Sequence, residues 1–336
     1  MSTTTRIALF GTGRIGHVHA MSVAALEGAE LTWVCDPFSD GAERTAAVHG
    51  GRPTTSQDEV FAADDVDAII IASPTPTHVD LISSAIAAGV PALCEKPIDL
   101  DIARVDSLRA AAAASSVPIV LGFNRRFDRH FSRMHDRVDA GEIGRLEHLV
   151  ITSKDPAEPP AAYLRSSGGI FRDMTIHDLD MARYFVPEIV EVSARGANTF
   201  SAEAKEFGDF DSAVVTLRGS RDELVTIMNS RHSAYGYDQR IEAFGSEGLL
   251  QVGNQTDTGV RRWGADAVES LEPYQTFFLE RYAEAYRLEV VEFLRAVRGE
   301  SSRSPGFEDG RAALVLADAA ERSARTGAVV PVDRVG

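Results

Sequence analysis

Short, wholly apolar runs alternate with segments of helical periodicity through the first third of the chain. The runs that we predict as β-strands are Arg6–Phe10, Leu31–Asp36, Ala68–Ala72, Ala92–Glu95 and Ile119–Gly122. The segments that we predict as helices are His17–Leu26, Gly41–His49, His78–Ala88 and Ile102–Ser115. Strands that are apolar on both faces and alternate with helices are typical of a parallel sheet covered on both sides, with right-handed crossovers. The pattern therefore predicts a doubly wound, Rossmann-type α/β domain that ends near Gly122.

After Gly122 the pattern changes, and strand signals begin to follow one another without helices between them. A helical stretch from Asn124 to about Ala140 and a strand at Ile143–Thr152 come first. The later predicted strands are Val190–Arg195, Ser212–Leu217, Glu223–Asn229, Gln239–Phe244 and Leu249–Val252. Two helices, at about Phe277–Arg298 and Asp309–Arg325, close the chain. We therefore predict two domains, residues 1–122 and residues 123–336, and the second is an α/β domain with a large, mostly antiparallel, open sheet.

A glycine-rich loop joins the first predicted strand to the first predicted helix. Its residues are Gly11, Thr12, Gly13, Arg14, Ile15 and Gly16. In dinucleotide sites with this spacing, the first glycine makes a tight turn, the second lets the backbone approach the pyrophosphate, and the third lets the helix pack closely on the sheet. The helix N-terminus then faces the anion. Glycine turns also arise for steric reasons alone, but the strand before and the helix after favour a nucleotide-binding loop.

Asp36, at the end of the second predicted strand, indicates which nucleotide binds. Its carboxylate can accept hydrogen bonds from the adenosine ribose hydroxyls. A 2′-phosphate at about 4 Å would be disfavoured by about 4 kcal/mol at an effective dielectric of about 20, which is nearly a thousandfold. We therefore expect NAD rather than NADP. Asp36 can also cap the loop that begins at Pro37, and the two roles are compatible.

Two further loops follow strands at the edge where open α/β sheets bind ligands. The loop Ser73–His78 contains the candidate cofactor contacts Ser73, Thr75 and His78, although Thr77 can simply cap the next helix. The second loop contains the candidate cofactor contacts Glu95 and Lys96 before a proline. A cation at this edge can reach the cofactor ribose or stabilise an alkoxide as its charge develops.

A Gly168–Gly169 pair leads into an apolar-periodic segment that begins at Ile170 and predicts a helix. On that helix Asp173 and His177 are four residues apart, so their side chains share one face. A histidine held by a carboxylate is a candidate general base near neutral pH. A pair at this spacing is more often an exposed ion pair, and the remaining loops decide between the two interpretations.

Composition and charge narrow the possible partners. The 336 residues are 44% hydrophobic and 25% charged, and the net charge is −16 without a basic run that could follow a phosphate backbone. We therefore expect neither nucleic acid nor a membrane as a partner. Cys35 and Cys94 have no metal-ligand spacing and suggest no disulfide framework, and no metal is expected. The amino end, Met1–Thr5, is a short polar lead into a strand, and we expect a cytoplasmic protein.

The chain resembles the Gfo/Idh/MocA oxidoreductase family over almost its whole length, and is most similar to the members that act on inositol. The markers are Gly11–Gly16, Glu95–Pro97, Gly122–Asp128, Ser153–Pro156, Gly168–Asp180 and Asp309–Arg311. The Glu-Lys-Pro element together with the Asp–His spacing is specific, whereas the glycine loop alone is not. No departure from the catalytic pattern is visible.

The resemblance implies residue roles at matching positions. Lys96, Asp173 and His177 match the catalytic trio, with His177 as proton acceptor. The positions that match the polyol pocket are Asn124, Arg125, Asp155 and, less specifically, Tyr235, whose place Tyr237 can take. The resemblance also implies that the substrate contacts Lys96, Asp173 and His177.

The resemblance also implies a reaction. It is the oxidation of a cyclic polyol, myo-inositol or a close inositol or sugar relative, by hydride transfer to NAD in a homo-oligomer, a dimer or tetramer. The same trio would serve another sugar, such as an aldose, an anhydrosugar or a keto-sugar. The alternative outside the enzymes is a regulator that binds a nucleotide without catalysis, because the fold alone does not decide function.

Overall fold

The computed structural model describes residues 4–332, so Met1–Thr3 of the predicted polar lead lies outside the described residues. The chain forms two compact units. One contains the residues up to Phe127 together with Ala283–Ala312, and the other contains Asp128–Tyr282 together with the chain from Ala313 onward. The division into residues 1–122 and 123–336 stays a prediction for the domains. The compact units differ from it because a late helix packs into the core of the first unit.

The first unit contains a six-stranded parallel sheet with strand order β3-β2-β1-β4-β5-β6, which confirms the predicted Rossmann arrangement. Its elements are β1 Thr5–Phe10, α1 Arg14–Ala24, β2 Ala29–Cys35, α2 Ser39–His49, β3 Arg52–Thr54, α3 Gln57–Phe61, β4 Ala68–Ile71, α4 His78–Ala88, β5 Ala92–Glu95, α5 Ile102–Ala114 and β6 Ile119–Gly122. The sequence pattern did not predict β3 and α3, because each is short and mainly polar.

The remaining elements are α6 Arg129–Asp139, β7 Leu146–Lys154, α7 Ala161–Ser166, α8 Ile176–Phe185, β8 Ile189–Ala197, α9 Ala202–Glu206, β9 Ser212–Gly219, β10 Leu224–Ser230, β11 Asp238–Gly245, β12 Gly248–Val252, β13 Arg261–Arg262, β14 Ser270–Leu271, α10 Phe278–Arg281, α11 Ala283–Val297, α12 Phe307–Thr326 and β15 Val330–Pro331. The single helix predicted at Phe277–Arg298 is wrong in one respect, since it is divided at Tyr282 into α10 and α11.

The core of the first unit explains why α11 belongs to it. Strand β4 is buried on both faces, as a central strand of a covered parallel sheet requires. Apolar side chains of β1 and α11, including Leu9, Val290 and Phe293, share one buried cluster. The apolar stripe on α11 therefore covers this sheet.

The second unit contains a seven-stranded sheet with strand order β12-β11-β7-β10-β9-β8-β15. Only the β7–β10 pair is parallel in this sheet, so the predicted mostly antiparallel arrangement is confirmed. Burial alternates along β9 and β10, and the outer face carries exposed Val214, Leu224 and Met228. One face of this sheet is therefore covered, and the other carries apolar side chains that this chain leaves exposed.

No helix among residues 4–332 is long and apolar enough to cross a membrane.

Candidate active site

Gly11 occupies a position in the glycine loop that only glycine fits. Its φ is +94°, in the left-handed region, and a Cβ would lie 2.6 Å from the backbone of Ala72 and Ser73. Its amide donates to the carbonyl of Cys35 at 2.8 Å. Gly11 therefore joins the end of β1 closely to the ends of β2 and β4.

The two other glycines of the loop differ in what they make room for. A Cβ on Gly16 would lie 2.1 Å from the carbonyl oxygen of Gly11, so Gly16 lets α1 start tightly against the loop. Gly13 is the residue before α1, has φ −68°, and a Cβ there would meet no atom within 4 Å. Since the protein itself does not require glycine at this position, the open space fits a ligand that approaches the start of α1.

Asp36 holds the same loop from the end of β2. Its Oδ2 accepts hydrogen bonds from the Thr12 amide at 2.8 Å and the Thr12 hydroxyl at 2.7 Å. Its Oδ1 accepts from the Phe38 amide at 2.9 Å. Each carboxylate oxygen has about two acceptor positions, so Oδ1 retains one for a ribose hydroxyl. The cap on the following loop and the nucleotide contact are compatible in this geometry.

The loop after β4 is tied to the Glu95–Lys96–Pro97 segment by His78. The His78 side chain is buried, and its ring nitrogens lie 2.8 Å from the carbonyl oxygens of Ser73 and Pro97. Burial lowers the pKa of His78. These contacts favour a structural role, and its role as a cofactor contact stays a prediction. Ser73 and Thr75 are half-buried on the same loop.

Glu95 and Lys96 stand at the end of β5. Glu95 points into the unit, where His19 Nε2 lies 2.8 Å from its Oε1. A Cβ on Gly122, the register partner of Glu95 in β6, would lie 3.0 Å from the Glu95 carboxyl carbon. Lys96 is half-buried, and the Lys96–Pro97 peptide is cis.

In the second unit, the predicted helix at Asp173 begins with a π-helical turn, Phe171–Thr175, before α8. Such turns are frequent at functional sites. Asp173 lies in this turn, and His177 is the second residue of α8. The shared-face argument assumed α-helical geometry throughout, so the pairing of Asp173 with His177 stays a prediction.

The Asp173 carboxylate contacts Tyr163 and Arg231. Its Oδ1 accepts a hydrogen bond from the Tyr163 hydroxyl at 2.7 Å, and its Oδ2 lies 3.1 Å from Arg231 Nη1. Although 47% of Tyr163 is exposed, the loss of hydration around its hydroxyl and the charge of Asp173 raise the pKa of Tyr163, so the phenol stays protonated and donates. Arg231, which follows β10, is 0% exposed. The site thus contains a buried cation beside the proposed catalytic carboxylate.

Asp209 completes this arrangement. It lies 3.2 Å from Arg231 Nη2, and its Oδ1 accepts from the Ile170 amide at 2.9 Å. Gly169 has φ +83°, and a Cβ there would lie 2.9 Å from Asp209 Oδ1. Burial alone lowers the pKa of Arg231, but the charges of Asp173 and Asp209 outweigh it and raise that pKa. The Gly168–Gly169 pair therefore lets Asp209 approach the start of the helix.

A second buried network supports the start of α8. Asn229, on β10, donates to Asp178 Oδ2 at 2.7 Å and accepts from the Thr175 hydroxyl at 2.7 Å. Asp178 is 0% exposed. Because these bonds hold the residues on either side of His177, they restrict where its ring can lie.

The predicted pocket residues fall in both units. Asn124 and Arg125 are buried in a 3₁₀ turn, Asn124–Phe127, of the first unit. Asp155, after β7, is half-buried and donates its amide to Ser230. Their contact with substrate stays a prediction.

The structure separates the two tyrosine candidates. Tyr235 is 48% exposed, and its hydroxyl donates to Asp238 at 2.8 Å and accepts from Lys154 at 3.1 Å. Tyr237 is buried edge-on against Tyr282. Tyr235 is therefore the more accessible of the two.

Sequence reasoning missed Tyr163, Asp209 and Arg231 as members of this site. The glycine pair was the one local signal, since two successive glycines before a helix indicate a close approach. Nothing in a single sequence relates Arg231 to Asp173, because they are 58 residues apart and meet only through tertiary packing.

The chain matches known family models in both parts. Residues 5–123 match a model described as the oxidoreductase family, NAD-binding Rossmann fold. Residues 131–251 match a model described as the GFO/IDH/MocA C-terminal domain. The predictions of an NAD-binding Rossmann domain and of this family are confirmed.

Individual relatives agree over nearly the full length. A protein named inositol 2-dehydrogenase from Rhizobium meliloti is 43% identical over 95% of this chain and 97% of its own. A crystal structure of a myo-inositol dehydrogenase from Corynebacterium glutamicum has 55% identity and a TM-score of 0.94, covering 98% of this chain and 99% of that one. A scyllo-inositol dehydrogenase from Lactobacillus casei with bound NAD(H) and scyllo-inositol has 27% identity and a TM-score of 0.89, covering 98% and 99%.

Proposed function

The chain belongs to the Gfo/Idh/MocA oxidoreductase family, and we propose that it oxidises myo-inositol or a close inositol relative to the corresponding ketone with NAD as the cofactor. It is an NAD-dependent oxidoreductase that acts on a CH–OH group. The observation that carries the choice of substrate is the full-length similarity to proteins named for inositol oxidation, at 43% identity over 95% of the chain.

The described residues fit NAD at the glycine loop. Gly13 leaves open space at the start of α1, and Asp36 retains an acceptor position for a ribose hydroxyl. The loop residues from Gly11 to Gly16 would hold the pyrophosphate, with Glu95, Lys96 and the Ser73–His78 loop at the same sheet edge. Bound NAD would supply the hydride acceptor.

In the proposed reaction, the residues of this chain move one proton and stabilise one developing charge. His177 takes the hydroxyl proton of the substrate, and Asp173 orients His177 and raises its basicity. Lys96 stabilises the oxygen as negative charge develops on it. The contacts of Asp173 with Tyr163 and Arg231 support this role, because they hold the carboxylate in one orientation.

Substrate contacts beyond the trio are proposed for Asn124, Arg125, Asp155 and Tyr235. Their polar side chains can bind ring hydroxyls, and they would distinguish inositols from other sugars. An aldose, an anhydrosugar or a keto-sugar is the alternative substrate. A non-catalytic regulator would have no chemical need for Lys96, Asp173 and His177 together.

We also propose that the protein is a homo-oligomer, a dimer or tetramer, that pairs through the outer face of the second sheet. Five exposed apolar side chains of that sheet support the proposal, each at least 38% exposed: Val214, Leu224, Met228, Phe244 and Leu249. A monomer in light scattering at micromolar concentration would contradict it. The cytoplasmic location stays a prediction.

The test of the function is an absorbance assay for NADH. The purified protein is mixed with NAD and a panel of inositol isomers, aldoses and anhydrosugars, and NADP replaces NAD as the control. We expect the highest kcat/KM with an inositol and NAD. Turnover of another sugar alone would replace the substrate, and preference for NADP would contradict the role of Asp36. NAD binding without turnover of any polyol or sugar would favour the regulator.

A further inference from the structure

Three titratable side chains meet in the interior of the first unit, beside the segment that carries Lys96. His19 comes from α1, Glu95 from the end of β5 and Glu289 from α11. Their nitrogen and oxygen ligand atoms lie within 4.8 Å of one another. His19 and Glu289 are 0% exposed and Glu95 is 8% exposed. Neither the proton transfer nor the charge stabilisation proposed above uses any of the three.

Glu289 has no hydrogen-bond partner for either carboxyl oxygen among the described residues. An ionised carboxylate there would lose its hydration without compensation. Glu95 is close enough to add repulsion if both groups were ionised. Burial first, and the charge of Glu95 second, raise the pKa of Glu289 far above its usual range.

Glu95, by contrast, has a partner. His19 Nε2 lies 2.8 Å from Glu95 Oε1, and a carboxylate can only accept, so His19 donates through this nitrogen when Glu95 is ionised. The room for the Glu95 side chain is provided by Gly122, where a Cβ would lie 3.0 Å from the carboxyl carbon. The Glu95 carboxyl group therefore has a hydrogen-bond partner, whereas that of Glu289 has none among the described residues.

We propose that Glu289 is a protonated carboxylic acid beside an ionised Glu95, and that Glu289 and His19 are positioning residues that hold the Glu95–Lys96 segment for the reaction. The positioning role rests on the proposed function, since it acts through Lys96. With Glu289 neutral, the cluster carries one negative charge, on Glu95. The hydrogen bond from His19 then keeps the Glu95 side chain in the interior. Lys96 directly follows Glu95 at the end of β5, so the position of Glu95 affects where the Lys96 side chain begins.

Among the described residues, no positively charged group forms a hydrogen bond with the Glu289 carboxyl group. Arg125 and Arg126 lie on the 3₁₀ turn that packs against α11, and Arg126 pairs with Asp309 at 3.1 Å. On α1, which also packs against α11, the charged or titratable side chains are Arg14, His17 and His19. On α11 itself, the Tyr286 ring lies edge-on to His19 with centroids 5.8 Å apart.

A divalent cation is the competing occupant, because two carboxylates and an imidazole are metal ligands. A bound cation would require both His19 Nε2 and Glu95 Oε1 to point at the metal ion rather than at each other. Their 2.8 Å separation is that of a direct hydrogen bond. We therefore assign a proton rather than a metal to the cluster.

The first arm of the test does not depend on any substrate. Infrared spectra of the full-length protein at neutral pH are recorded for wild type, Glu289→Gln and Glu284→Gln, an exposed position on the same helix. We expect the carbonyl stretch of a protonated carboxyl group in wild type and in Glu284→Gln, and its loss in Glu289→Gln. A spectrum without this band in wild type, or with it in Glu289→Gln, overturns the proposal. A stoichiometric divalent metal in wild type also overturns it.

The second arm measures turnover with the inositol that the wild type oxidises best. Glu289→Leu should lower kcat by about tenfold or more, because a small misplacement of a catalytic group is costly. Glu289→Gln, which copies the neutral acid, should restore it. The kcat of wild type should fall at alkaline pH where that of Glu289→Gln does not. Equal profiles of all variants refute the positioning role. If wild type oxidises no inositol, the proposed function is wrong. The infrared spectra still show whether Glu289 is protonated.

Discussion

Arg231 Nη1 lies 3.1 Å from Asp173 Oδ2, although 58 residues separate the two along the chain. The guanidinium is 0% exposed and also contacts Asp209 at 3.2 Å. A single buried cation therefore balances two carboxylates, one of which we propose as the partner of the catalytic base. The position of Asp173 depends on this arrangement as well as on its own helix.

Arg231→Met should destabilise the protein by about 3–5 kcal/mol, because it leaves two largely buried carboxylates without their cation. Urea unfolding followed by circular dichroism measures this. The matched control is Arg262→Met, which removes an exposed arginine that pairs with Asp266 at 2.7 Å. The control should change the free energy of unfolding by less than about 1 kcal/mol. Equal losses in the two variants would contradict the interpretation of Arg231.

Tyr163→Phe should lower kcat/KM for the inositol substrate by about tenfold, since it removes a hydrogen bond to a charged group. The affinity for NAD should not change, because the Tyr163 hydroxyl donates to Asp173 and Tyr163 belongs to none of the proposed NAD-binding loops. Tyr184→Phe, on α8, is the control and should leave kcat/KM unaltered. Steady-state kinetics and calorimetric titration with NAD give the two quantities. Weaker NAD binding in Tyr163→Phe would mean that the hydroxyl acts elsewhere.

His177→Ala should reduce kcat by about 10²–10⁴, the usual contribution of a general base, while NAD still binds. The reason is that no other group of the proposed site takes the hydroxyl proton. The measurement is the rate of NADH formation with saturating inositol, together with NAD titration. His49→Ala, at the end of α2, is the control for loss of a histidine. Normal turnover by His177→Ala would refute His177 as the base.

The glycine loop allows a matched pair of substitutions. Gly11→Ala should destabilise the protein by about 1–3 kcal/mol or more, because its φ is +94° and the new Cβ would lie 2.6 Å from backbone atoms. Gly13→Ala should fold normally, since a Cβ there meets no atom within 4 Å, but should weaken NAD binding. Thermal unfolding and NAD titration separate the effects. Unchanged NAD affinity in Gly13→Ala would place the pyrophosphate elsewhere.

Glu289 predicts a dependence of stability on pH. Its pKa is raised in the folded protein above the ordinary value of 4.5, so the folded state binds more protons between the two values. Its contribution is fully present below the unfolded pKa and is lost as pH rises through the folded pKa. Wild type should therefore lose stability relative to Glu289→Gln as pH rises above about 4.5, by up to about 1.4 kcal/mol per pH unit. Denaturant unfolding at several pH values measures this, and parallel curves would contradict it.

Local pattern predicted much of the first unit. The bounds of β5 and β6 agree with the prediction, because both strands are apolar runs between turn residues. The glycine loop and Asp36 were also recognised, since their spacing alone describes a strand, a turn and a helix. Short elements were missed where tertiary contacts rather than periodicity maintain them, as in β3, which pairs with β2 at the edge of the sheet.

Local sequence predicts the periodic elements and the nucleotide loop, because each depends on residues close together in the chain, whereas the roles of Lys96, Asp173 and His177 stay predictions. Tertiary packing places Arg231 beside Asp173 and Glu289 beside Glu95 and His19. These contacts join distant segments, and their energies depend on burial, which no single segment encodes. For the same reason, the late helix α11 belongs to the first unit, where the apolar surface of the parallel sheet requires a cover.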